Sequence, residues 1–141
     1  MTANTDQELI ISDDKSLLDL DTIFEFLSKS YWANKRSKET IEKSIRNSIC
    51  YGAYFQNKQV GFARVVTDGA TMYWLCDVFI DETCRGKGIG KKLVETIVNS
   101  EPLRNLTGLL GTKDAHGLYE QFGFQSDREK MMRRLPDFLR K

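Results

Sequence analysis

The feature that most restricts this chain is the passage 72–98, where MYWLCDVFI, the longest apolar run, leads through DETC into RGKGIGKKLV. Tyrosine, tryptophan, valine, phenylalanine and isoleucine suit a central, buried strand. Beyond the glycines, Ile89, Leu93, Val94, Ile97 and Val98 recur at intervals of three and four, the stripe of a helix. Between the two stand Gly86, Gly88 and Gly90. Each gives up more backbone freedom on folding than any other residue, so three in alternation need a physical reason. The unit is a strand, a turn, a glycine-rich loop and a helix, and it requires a sheet with helices packed on it.

The remaining sequence supplies that sheet. ELII at 8–11 reads as a short first strand. Leu20, Ile23, Phe24, Leu27 and Tyr31 predict an amphipathic helix over 17–31, and Ile41, Ile45 and Ile49 a second helix starting near Ser37. YGAYF at 51–55 and VGFARVV at 60–66 flank a polar turn at Gln56, Asn57 and Lys58, a hairpin. Asp68 and Gly69 turn the chain into the long apolar strand. GLLGT at 108–112 reads as a further strand, residues 114–122 as a short helix, and FGF and MMRRL as two last strands. The expected order is βααβββαβαββ: a mixed α/β fold, six to seven strands in one mixed sheet, helices on both faces, one domain over 1–141.

Composition narrows the function classes. The net charge is +1 and the pI near 7.7, so no overall field favours nucleic acid or a membrane surface. One histidine, His116, and three cysteines without CxxC spacing (Cys50, Cys76, Cys84) do not make a metal site. The acidic opening MTANTDQELIISDDKS has no basic start followed by an apolar block, and no run reaches the roughly 18 apolar residues of a spanning helix. The expectation is a cytoplasmic enzyme or binding domain with reduced thiols.

The glycine loop fits neither of two familiar phosphate loops. GxGxxG would need glycine at 91 or 93, where Lys91 and Leu93 stand. A Walker A loop ending at Gly90 and Lys91 would need glycine at 85 and Ser or Thr at 92, positions held by Arg85 and Lys92. What remains is a helix N-terminus whose first N–H groups lack internal partners and carry about half a positive charge. Bare backbone lets an anion approach those amides, with Lys87, Lys91 and Lys92 nearby. A tight turn needing positive φ would explain one glycine better than three.

With that loop in place, residues 78–98 resemble motif A of the GNAT superfamily of N-acetyltransferases, whose loop Arg/Gln-x-x-Gly-x-Gly/Ala is here Arg85-Gly86-Lys87-Gly88-Ile89-Gly90. DAHGLYEQFGF resembles its motif B. The resemblance implies acetyl-CoA as co-substrate, with the backbone from Gly86 to Lys91 holding the diphosphate. It implies that Val78, Phe79 and Ile80 pair with the pantetheine arm, and that a bulge splays this strand from the next. It also implies direct attack by a primary amine, on a small molecule or a peptide, in a ternary complex. A homodimer is a further implication.

For such chemistry Tyr119, four residues before Gly123, falls where the family places its general acid to the thiolate. Its alternative is a packing role beside Leu118 and Phe122. Asp77, the one charge inside MYWLCDVFI, is a candidate base or amine partner, or else a structural pair with Arg64. A strand N–H at Phe79 or Ile80 would serve the oxyanion. The family asparagine is replaced here by Thr112, which leaves its pantetheine contact open, and His116 is a lesser candidate base. The resemblance implies that the first two helices meet at KSYWANKRS to shape the acceptor pocket, where of Tyr31 and Trp32 one would pack and the other line the pocket. The competing function is a non-catalytic acyl-CoA sensor.

Overall fold

In a computed structural model that describes residues 8–140, five strands form one sheet in the order β1-β2-β3-β4-β5. They are β1 (Leu9–Ser12), β2 (Ile49–Phe55), β3 (Lys58–Thr67), β4 (Met72–Ile80) and β5 (Thr107–Leu110). The first four run antiparallel to their neighbours, and β5 lies parallel to β4. The helices are α1 (Leu20–Ser28), α2 (Lys38–Arg46), α3 (Ile89–Val98) and α4 (His116–Glu120).

The first two helices start where capping chemistry lets them. Asp19 accepts from the Thr22 N–H and Ser37 from the Thr40 N–H, satisfying donors that have no partner inside α1 and α2. α1 therefore begins at Leu20 rather than 17 and ends before Tyr31. Ile49 does not extend the α2 stripe; α2 stops at Arg46 and Ile49 opens β2. The β2–β3 connection is two residues long, with Gln56 and Asn57 both at positive φ (53° and 63°), a turn that matches the twist of a hairpin.

The expected helices on both faces are present. Ile23, Phe26, Leu27 and Ile41 of α1 and α2 pack with Cys50, Phe62 and Phe79 on one face. Leu93, Val94 and Ile97 of α3 pack with Tyr51, Val65, Tyr73 and Leu75 on the other, joined there by Tyr119 of α4. The two last strands are not formed among the described residues, so the sheet has five strands rather than six or seven. Gly123 (φ 90°) turns the chain at the end of α4, and Phe124 packs edge-on to Tyr119 at 6.0 Å. MMRRL puts two apolar residues beside two charged ones, so a period of two gives it no uniform apolar face, and Met132 is 94% exposed.

Asp68 closes the β3–β4 turn by accepting from the N–H groups of Ala70 and Thr71 and from the Thr71 hydroxyl. These hydrogen bonds, the Thr71 hydroxyl foremost, hold its carboxyl well below the usual carboxylate range. A depressed folded value gives stability that is present above the unfolded pKa of about 3.9 and lost as pH falls through the folded one. Asp68→Asn is therefore expected to lower the melting temperature at pH 7, with the gap to wild type narrowing as the pH is taken below about 4.

Candidate active site

β4 carries the feature that opens the site. Arg64 pairs with Cys76 and Phe62 with Phe79, so three steps on β4 face two on β3, and Asp77 stands in the bulge at φ 55°. The extra residue resets which side chains face which layer: Tyr73 and Leu75 meet α3, whereas Phe79 joins the α1–α2 layer. Pairing with β5 covers only Met72–Leu75, so the main chain of Cys76–Ile80 has no β5 partner. A cleft of about 560 Å³ lies there, with Val78, Phe79 and Ile80 on its strand wall.

The glycine loop forms one end of this cleft, lined by Arg85, Gly86, Gly88, Ile89 and Gly90. Gly86 and Gly88 have φ of 82° and 80°, so two of the three glycines are required by the turn itself. Gly90 is helical and needs no such freedom, and a Cβ there would meet only ordinary contacts, at 3.7 Å from Ile80 and 3.9 Å from Leu118. Neither backbone nor packing demands its glycine. Gly88 gives α3 no side-chain cap, and the first helical bond runs from Lys92 N–H to the Gly88 carbonyl (3.1 Å). The N–H groups of Ile89, Gly90 and Lys91 precede that bond. Lys87 and Lys91 do not line the cleft with their side chains.

Arg85 lies over the Phe79 ring (4.9 Å) and donates through Nε to the Ile80 carbonyl (3.0 Å). It thereby ties the loop to the strand end and takes up one of the main-chain acceptors that the sequence offers to a ligand. Tyr119 forms the far wall, 8% exposed, and its hydroxyl has no hydrogen-bond partner among the described residues. Burial pushes its pKa up to about 12, helped by Tyr31 and the Asp114 carboxylate. Tyr31 and Trp32 line the same cleft, half-exposed, with their rings edge-to-face at 5.1 Å.

Three other residues fall elsewhere. His116 lies in a second cleft, along the outer side of β5, of which Tyr119 is the shared wall. Thr112 accepts from the Ala115 N–H (3.0 Å) at the start of α4. Asp77 is buried and accepts from Trp32, Arg36 and Arg64 rather than facing open cleft. Arg36 carries no pattern that sequence reasoning singles out, because its partner lies 41 residues away. Among the described residues no cluster of side chains suits a metal ion, and no helix is long and apolar enough to cross a membrane.

In the structure the β4 bulge, the end of its pairing with β5 and the uncapped start of α3 meet at one cleft, and comparison with known proteins places the chain that holds them. Residues 46–126 match the acetyltransferase (GNAT) domain. The chain belongs to the GNAT family of acetyltransferases. A GNAT-family protein from Xanthomonas campestris superposes with a TM-score of 0.88 at 35% identity, covering 94% of this chain and 96% of that one. A Gibberella zeae protein assigned as an acetyltransferase is 27% identical over 86% of this chain and 82% of its own length. A Clostridium acetobutylicum acetyltransferase solved with acetyl-CoA shares the fold at a TM-score of 0.65 and 14% identity, covering 90% of this chain and 95% of that one. As a GNAT protein the chain is a transferase of acyl groups.

Proposed function

We propose that the protein transfers the acetyl group of acetyl-CoA to a primary amine on a small molecule or peptide, by direct attack in a ternary complex. The observation that carries this reading is the cleft where uncapped α3 amides, the unpaired end of β4 and the Tyr119 hydroxyl meet. Acetyl-CoA fits the residues present: the amides of Ile89, Gly90 and Lys91 suit its diphosphate, and the free edge of Val78–Ile80 suits its amide-bearing arm. A main-chain N–H at Phe79 or Ile80 stabilises the oxyanion, an effect worth about 3 kcal/mol when well aimed.

As the amine nitrogen bonds to the acetyl carbon and the C–S bond breaks, Tyr119 donates its phenolic hydrogen toward sulfur. With a pKa near 12 it stays protonated throughout the working range, so it acts first as a hydrogen-bond donor and yields the proton late. Asp77 serves in a positioning role, because three donors already occupy its oxygens. The amine proton leaves to water through the open cleft, and the Tyr119 phenolate regains a proton from water to close the cycle.

That assignment has a kinetic consequence. An alkylamine of pKa near 10.4 is neutral in only about one molecule in two thousand at pH 7. We expect kcat/KM for such an acceptor to rise about tenfold per pH unit between pH 7 and 9. A flat profile over that range, restored to the rising one in His116→Ala, would transfer the base role to that histidine.

The test is thiol release from acetyl-CoA across alkylamines, polyamines, lysine and peptides with free N-termini. Release that depends on one of these amines supports the reading. Stabilisation by acetyl-CoA with no release for any of them would make the protein an acyl-CoA-binding module instead.

A further inference from the structure

Asp77 has two properties that rarely coincide. It is the bulge residue of β4, held at positive φ, and it is a carboxylate only 3% exposed. Its Oδ1 accepts from Trp32 Nε1 (3.0 Å), and its Oδ2 accepts from Arg36 Nη1 (2.9 Å) and Arg64 Nε (2.8 Å). Arg64 comes from β3 and also reaches the Ser48 hydroxyl (3.0 Å). Trp32 and Arg36 come from the irregular segment between α1 and α2. That segment continues across the cleft. Trp32 packs against Tyr31, and the Tyr31 hydroxyl accepts from the Lys113 N–H (3.1 Å) just before α4, while Lys113 Nζ sits 5.3 Å from the Tyr31 ring. A continuous line of contacts thus joins the bulge to the Tyr119 side of the cleft.

Arg64 alone would complete a buried ion pair with Asp77. The two further donors arrive from the segment between α1 and α2, whose Ala33 is itself packed in the core cluster beside Phe79. Residue type follows from both demands together. Glycine would accept the backbone bend but anchor nothing, and asparagine would accept it without the charge that holds two guanidinium groups.

We infer that Asp77 is a positioning residue whose carboxylate pins the Ser30–Arg36 strap, so that the bulge opening the acyl slot also fixes Tyr31 and Trp32 as the wall the acceptor amine meets. The inference rests on the acetyl-transfer reading for its kinetic consequence, but not for the anchoring itself. Slot and wall then share one fixed point, which sets where the amine stands relative to the thioester.

Substituting Asp77 would strand the charge of Arg64, whose side chain is 13% exposed, and so threatens folding. Arg36→Gln is the cleaner variant, because Arg36 does not line the cleft and the Asp77–Arg64 pair and the bulge stay in place. In the full chain we expect the hydrogen-bonded amides of Ser30, Ala33 and Arg36 to exchange about three- to tenfold faster in Arg36→Gln. The KM of the best amine in the panel should rise by a similar factor, with acetyl-CoA affinity within about twofold of wild type. Arg36→Lys, which keeps the charge but not the planar fork, should recover about half of the lost protection. Unchanged exchange in the strap overturns the inference. So does an unchanged acceptor KM, or a fall in acetyl-CoA affinity that matches the rise in KM. If the wild-type protein acetylates no amine, the function proposed above fails, whereas the exchange measurement still decides whether Asp77 holds the strap.

Discussion

Gly90→Ala is expected to keep or raise the stability of the protein while weakening acetyl-CoA binding at least about tenfold. The two effects have opposite signs because they act on different things. In a helix, alanine is favoured over glycine by up to about 1 kcal/mol, and the new methyl would meet Ile80 and Leu118 only at ordinary contact distances. The same methyl projects beside the α3 amides, where a diphosphate would have to approach to about 3 Å. Gly88→Ala provides the contrast. At φ 80° an L-residue is strained by roughly 1–2 kcal/mol, so that variant should lose stability as well as affinity. Thermal melts with and without acetyl-CoA measure both quantities. A Gly90→Ala protein that binds as tightly as wild type would remove the loop from the site.

Tyr119→Phe is expected to reduce kcat by about a hundredfold or more, the low end of what a positioned acid contributes, and to leave acetyl-CoA affinity within about twofold. The ring keeps its packing against Phe124, so stability should change little. Because burial raises the phenol to about 12, the wild-type rate should show no loss attributable to Tyr119 up to about pH 10. Phenylalanine matching wild type in kcat would reduce Tyr119 to a wall between the two clefts.

Local signals made much of this legible in advance. β4 was readable to the residue as MYWLCDVFI, since an apolar run bounded by a turn and a glycine loop has one reading. Ser37 marked the start of α2 because a cap is a local device. The loop was legible as a glycine-rich link from strand to helix, but the sequence does not separate Gly86 and Gly88, which need positive φ, from the helical Gly90. What the sequence left unplaced in the site is non-local. The bulge was expected only through the family resemblance, and its position at Asp77 is set by the register between two strands, not by any residue pattern in one of them. Arg36 meets Asp77 across 41 residues, and Tyr31 meets Lys113 across 82. The two absent strands show the opposite error, in which FGF and MMRRL carry strand-favouring residues without a period that would give the sheet a buried face.

The account turns on whether the opening of α3 grips the cofactor through its backbone. Titrating the ¹⁵N-labelled protein with CoA and following each amide reads this directly. The account predicts that Ile89, Gly90 and Lys91 shift the most, downfield as their N–H groups take up charged acceptors, with weaker movement along Val78–Ile80. Saturable CoA binding that leaves those three amides unmoved would contradict it.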